Sequence, residues 1–248
     1  MPTECAFCPS SAKLSGEHIW SDWMNEYFPG KKRFAHLNTE LKGPRGWASN
    51  ALDLTTKVVC ESCNNGWMSD IESQHAKPSI GPLLEGKVDI PITQSHARSI
   101  ALFAFKTAVI CDHMRRGDRF FPRATRYLFK EKSEIPATVQ MWFAGYLGRS
   151  EGASLTIYHN VPDPNGFQLY VCTYLIGYFV FQVLATSMPT SWFVRPHETT
   201  FKNLAVPFWP SVPGSFMWPP KTVLMKATEF QKFAGRWKFI DAFSIAGR

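Results

Sequence analysis

No internal repeat and no low-complexity tract runs through the 248 residues, which excludes solenoids, propellers and fibrous chains. The opening MPTECAFCPSS carries neither a basic segment nor an apolar stretch. No secretory signal is expected from it, and the chain is expected in the cytoplasm, where thiols stay reduced. Charged residues are sparse at 19%, while hydrophobic ones make up 45%. That balance describes an ordinary globular protein, not a disordered one. Only Leu169–Ala185, LYVCTYLIGYFVFQVLA, approaches the length of a membrane span. Gln168 and Gln182 flank or interrupt it, Gly177 breaks it, and its Tyr, Val, Phe and Thr content is that of buried strands. No membrane partner is expected.

An acidic surplus is also missing. The formal net charge is +7, which favours an anionic partner such as nucleic acid. Its placement is uneven. Residues 1–94 hold nine Lys/Arg against eleven Asp/Glu, and residues 95–248 hold eighteen against nine. Arg115, Arg116, Arg119, Arg123, Arg126, Lys130 and Lys132 crowd into eighteen positions. If the chain binds a polyanion, this later region is expected to grip phosphate; a solvated basic face is the plainer reading.

Two units are expected. Residues 1–94 alternate short apolar pieces with Gly, Pro, Ser and Asn. Within them, Gly16–Phe28 reads as a strand, a turn and a short helix bearing Trp20, Trp23, Met24 and Phe28 on one face. Residues Pro29–Ser49 read as an exposed basic loop, Thr55–Val59 as a strand, Asn64–Gln74 as the start of a helix, and Gly81–Thr93 as a connector. In residues 95–248, Ile100, Phe103, Ala104, Ala108 and Cys111 recur at helical intervals. Strands are expected over Thr138–Val194, followed by irregular structure around Trp209–Pro210 and Trp218–Pro219–Pro220. The fold class is therefore α+β, a small metal-stapled unit followed by a mixed helix and antiparallel-sheet domain.

Cys5-Ala-Phe-Cys8 and Cys60-Glu-Ser-Cys63 form two CxxC pairs. Four thiolates delivered by two tight turns suit a closed tetrahedral zinc site. A redox CxxC needs no second copy, and an iron–sulfur centre lacks supporting context. A closed four-sulfur site has no open position for substrate, so this zinc is expected to be structural. Cys111 and Cys172 have no ligand partners nearby in sequence and read as buried small hydrophobes.

Between the pairs stands Glu17-His18-Ile19, and Asn64 directly follows the last cysteine. The ordering C-x2-C, acid-His-Ile, C-x2-C-Asn and then a helix resembles the zinc-containing HNH (His-Me finger) endonucleases, over Cys5 to about Glu72. The resemblance implies a ββα-metal, treble-clef-like finger and phosphodiester hydrolysis in nucleic acid, with DNA as the expected partner. It implies His18 as general base and Glu17 and Asn64 as ligands of one Mg2+ or Mn2+, with Glu72 as a further candidate ligand. Each residue type suits its role: imidazole can take a proton from water, and hard oxygen donors suit magnesium. A homodimer is compatible with two cuts in a duplex.

The pattern also departs from the family. Asp is commoner than Glu before the histidine, and where the family's middle Asn usually stands this chain has Leu54, Thr55 and Thr56, the nearest asparagine being Asn50. These departures motivate the alternative of a non-catalytic zinc-finger module that binds nucleic acid or protein. Asn64 could equally cap its helix, Glu72 could pair with a surface cation, His75 reads as a surface residue, and Trp67 as a core anchor.

Overall fold

Leu14–His18 forms strand β1 and Thr55–Cys60 forms β4, paired antiparallel from Leu14 opposite Cys60 to His18 opposite Thr55. Between them, in the computed structural model, lie a 3-10 helix, Asp22–Tyr27, and a hairpin of β2, Phe34–Glu40, and β3, Gly43–Ser49. The structure describes residues 4–28, 34–40, 43–49, 52–114, 117–150, 153–159, 167–187, 203–210, 214–220 and 224–235. Residues 34–40 and 43–49 therefore form a hairpin where a basic loop was expected. Gly43, Pro44 and Gly46 look like turn formers in sequence, yet a backbone ladder needs only extended residues in register. Asn50 lies outside the described residues, as do Lys31, Lys32, Arg33 and Lys42.

Helical residues run from 61 to 84, here α1, with wide π-type turns at Asn64–Met68 and Ile71–Ala76 and a break in helical geometry at Gly66 (φ −99°, ψ −119°). The expected connector is thus helical at Gly81 and Pro82. A Cβ on Gly81 would lie 2.4 Å from Tyr27 Oη, so glycine there serves close approach to the 3-10 helix, not a turn. Strand β5, Ile90–Ile92, follows, and then α2, Gln94–Met114, in which every residue from Ser99 to Asp112 is buried.

After α3, Arg123–Lys132, come β6, Val139–Gly145; β7, Ala153–His159; β8, Leu169–Ile176; and β9, Phe179–Thr186. With β10, Val206–Trp209, they form an antiparallel sheet in the order β10-β6-β9-β8-β7. Strand β11, Phe216–Trp218, pairs with β5, and α4 is Ala227–Gly235. Two short strands and one helix therefore lie within the tail that reads as irregular in sequence.

The apolar run Leu169–Ala185 is the β8–β9 hairpin, turning at Gly177 with φ +58°, a left-handed conformation suited to glycine. It is apolar on both faces because both are covered. Tyr170, Cys172, Tyr174 and Ile176 join the core that contains α2, while Leu169, Val171 and Leu175 join a second cluster with Phe230, Phe233 and Ala234 of α4. No helix of the described residues is long and apolar enough to cross a membrane.

The larger core holds Cys5, Phe7, Val58 and Met68 together with Ile100, Phe103, Phe129 and Phe181. Apolar contact thus runs without a break across residue 94.

Candidate functional site

The two CxxC turns meet at one point. Phe7 and Cys60 donate backbone N–H groups to Cys5 Sγ at 3.4 and 3.3 Å, and Ala6 N–H donates to the carbonyl of Val58 at 2.8 Å. Val58 is the extra residue of a bulge in β4, since Ser15 pairs with Val59 and Gly16 with Lys57. The bulge aims its carbonyl at the first turn. Cys8 Sγ lies 3.6 Å from Cys60 Sγ and 3.7 Å from Cys63 Sγ, and all four sulfurs fall within 4.8 Å of one another.

These spacings decide between a disulfide and a metal cage. A disulfide needs about 2 Å, whereas a tetrahedron with metal–sulfur bonds near 2.3 Å has edges of about 3.8 Å. The four cysteines could hold a metal ion such as zinc. Burial alone would raise the Cys60 thiol, but hydrogen bonds with Ser62 and the Cys63 backbone bring it down to about 6, while burial pushes Cys63 up to about 12. A thiolate-prone sulfur thus stands within the set, and a cation would deprotonate the rest.

Helix α3 clamps this cluster. Arg126 donates to the carbonyls of Ala6 and Phe121, Arg123 pairs with Glu4, and the thiol-rich environment of Cys63 and Cys8 raises Lys130 against its own desolvation. Phe129 meets Phe7, Trp67 and Phe105 edge-on or tilted, with centroids at 6.3, 5.7 and 4.8 Å. Trp67, expected as a core anchor, is partly buried and packs against the core. Arg119 donates to the carbonyl of Asp112. Among the described residues of the dense basic stretch, Arg119, Arg123 and Arg126 therefore have internal partners.

Beside the sulfur cluster, β1 faces the start of α1. Asn64 does not cap a helix: no side-chain cap bond forms at the N-terminus of α1. Its Nδ2 donates instead to Ser15 Oγ at 3.1 Å and to the Gly16 carbonyl at 3.0 Å, and Ser15 Oγ donates on to Val59 O at 3.3 Å. A carbonyl can only accept, so the amide nitrogen must face β1. Both amide hydrogens are then used, and Oδ1 has no protein partner in the described structure.

Adjacent strand residues project to opposite sides. Glu17, 4% exposed, turns into the core, and the half-buried His18 follows at the end of β1. Inside, Lys106 of α2 lies 2.7 Å from Glu17 Oε1 and also bonds Glu72 Oε1 of α1. Lys106 is 1% exposed, with its ammonium 5.5 Å from the centre of the Phe103 ring. Burial raises the Glu17 carboxyl, and Lys106 opposes that rise. For Lys106, burial lowers the ammonium, but attraction to Glu17 and Glu72 wins and raises it overall. The lysine stays charged.

The structure thus joins Glu17 to Glu72 through Lys106, and Asn64 to β1 two residues before His18; no hydrogen bond joins His18 to the other three. Glu72 meets the buried Lys106 instead of a surface cation and is partly exposed. His75 is exposed, and Cys111 and Cys172 are fully buried. Lys106 went unnoticed in the sequence, although a lone lysine inside ALFAFKTAVICD on an apolar helix is a signal that a buried acid awaits it. No protein-family model, curated protein or solved structure matches the chain.

Proposed function

We propose that this chain is a metal-dependent endonuclease of the HNH type, hydrolysing phosphodiester bonds in nucleic acid, with DNA as the first substrate to test. One observation carries the reading. A four-sulfur cluster fixes a strand pair and the helix that follows it, so that Asn64, with its amide oxygen left unpartnered, lies against the strand ending in Glu17 and His18. In this reading β1, β4 and α1 are the ββα-metal finger, the four-cysteine ion is structural zinc, and Glu17, His18 and Asn64 form the site.

The donor set suits a hard divalent cation: one amide oxygen is unpartnered, and one oxygen of Glu17 makes no hydrogen bond to Lys106. Asn64 and Glu17 would hold Mg2+ or Mn2+, which when bound polarises the scissile phosphate and stabilises the leaving 3′ oxygen. The His18 imidazole accepts the proton of the attacking water, whose oxygen bonds to phosphorus as the P–O3′ bond breaks; the 3′ oxygen then takes a proton from solvent. The pairing of Glu17 with Lys106 favours a second reading, a non-catalytic finger whose acid has become structural.

Supercoiled plasmid incubated with Mg2+, Mn2+ or EDTA separates the two. The nuclease reading expects nicking that needs the divalent ion and falls at least about 100-fold in His18→Ala, with zinc content and circular dichroism unchanged. Binding without nicking of any DNA or RNA offered would support the second reading.

A further inference from the structure

Lys106 has no place in the proposed chemistry, yet it brings a positive charge between two carboxylates. Its ammonium, fully enclosed, bonds one oxygen from each of two carboxylates carried by different elements, Glu17 of β1 and Glu72 of α1, and it comes from a third, α2. Placing a charge there is costly unless both partners are present. Of the two carboxyl groups that face this ammonium, Glu72 is the more open, its side chain being 21% exposed against 5% for Glu17.

We propose that Lys106 is a positioning residue acting as a built-in cation: it holds Glu17 and Glu72 together, fixes the acid next to His18, and excludes a divalent ion from the space between the carboxylates. Its functional meaning rests on the nuclease reading, in which the site then works with one metal ion, Lys106 occupying the place a second would take. The geometry permits exchange. Oxygens sharing one ammonium lie at most about 6 Å apart, and an ion with metal–oxygen bonds near 2.1 Å spans up to about 4 Å, so they need approach by no more than about 2 Å, a shift open to the partly exposed Glu72.

The test is Mn2+ stoichiometry, read from the paramagnetic resonance of free Mn2+ over full-length, zinc-loaded protein. Lys106→Ala gains one bound Mn2+ relative to the unsubstituted chain. Lys106→Arg, which keeps the charge, gains none, and Lys106→Ala with Glu72→Gln loses the gain. The starting value reports separately on the nuclease reading: one Mn2+ in the unsubstituted chain supports it and none counts against it, whereas the increment alone tests Lys106. Should Lys106→Ala fail to fold unaided, Mn2+ added during refolding restores it, and the neutral triple variant with Glu17→Gln and Glu72→Gln folds without Mn2+. No increment in a folded variant, an increment that survives Glu72→Gln, or no rescue by either refolding route overturns the proposal.

Discussion

His113, one residue from the end of α2, sets a measurable acid limit on the fold. Its Nδ1–H donates to the carbonyl of Val109 at 2.9 Å. Burial, with the nearby charges of Arg126 and Arg119, holds the imidazole down to about 4 from its ordinary 6.5. The unfolded chain therefore takes up a proton at higher pH than the folded one. The stabilisation is fully present above pH 6.5 and is lost as pH falls toward 4. A shift of 2.5 units corresponds to about 3 kcal/mol. His113→Gln removes the titration, so urea unfolding of both proteins at pH 7.5 and pH 4.5 should show the variant losing about 2–3 kcal/mol less over that interval. Acid protonation of the cysteine cluster affects both proteins and cancels in the comparison. Equal losses, within about 0.5 kcal/mol, would refute the assignment of a buried neutral imidazole.

Other consequences concern the metal cluster and its supports. Stripping the ion with a strong chelator under reducing conditions should remove the constraint on β1, β4 and α1, seen as loss of the near-ultraviolet signal of Trp67 and restored by Zn2+ but not Mg2+. Phe129→Ala should cost about 3–5 kcal/mol in urea unfolding and hasten zinc loss, because its ring wedges between Phe7, Trp67 and Phe105; an unchanged zinc off-rate would show that α3 does not clamp the cluster. Gly81→Ala should lower stability by about 1–3 kcal/mol through collision with Tyr27, and Tyr27→Phe in the same chain should recover part of it.

The sequence was most informative where local chemistry and tertiary structure agree. The four cysteines converge as their spacing implies, the helix over Gln94–Met114 follows its apolar period, and the run Leu169–Ala185 is a buried hairpin as its β-branched and aromatic content suggests. What stayed hidden depends on partners distant in the chain. The bond from Asn64 to β1 spans 48 residues and that from Lys106 to Glu17 spans 89; neither has a periodicity to betray it. The partners held by the basic stretch are hidden for the same reason. Charge is visible in sequence, whereas the capture of Arg123 by Glu4 and of Arg126 by the Ala6 carbonyl is not. Pro82 and Gly81 read as breakers because local preference disfavours them in helices, yet both lie in the helix, where Gly81 closes against Tyr27.

Crystals of the zinc-loaded protein soaked in Mn2+, with anomalous differences collected at the manganese edge, bear most directly on the nuclease account. It predicts one manganese peak bonded to Asn64 Oδ1 and a Glu17 oxygen, close to His18. A manganese ion bound elsewhere, or none while Asn64 and Glu17 keep their protein partners, would contradict it.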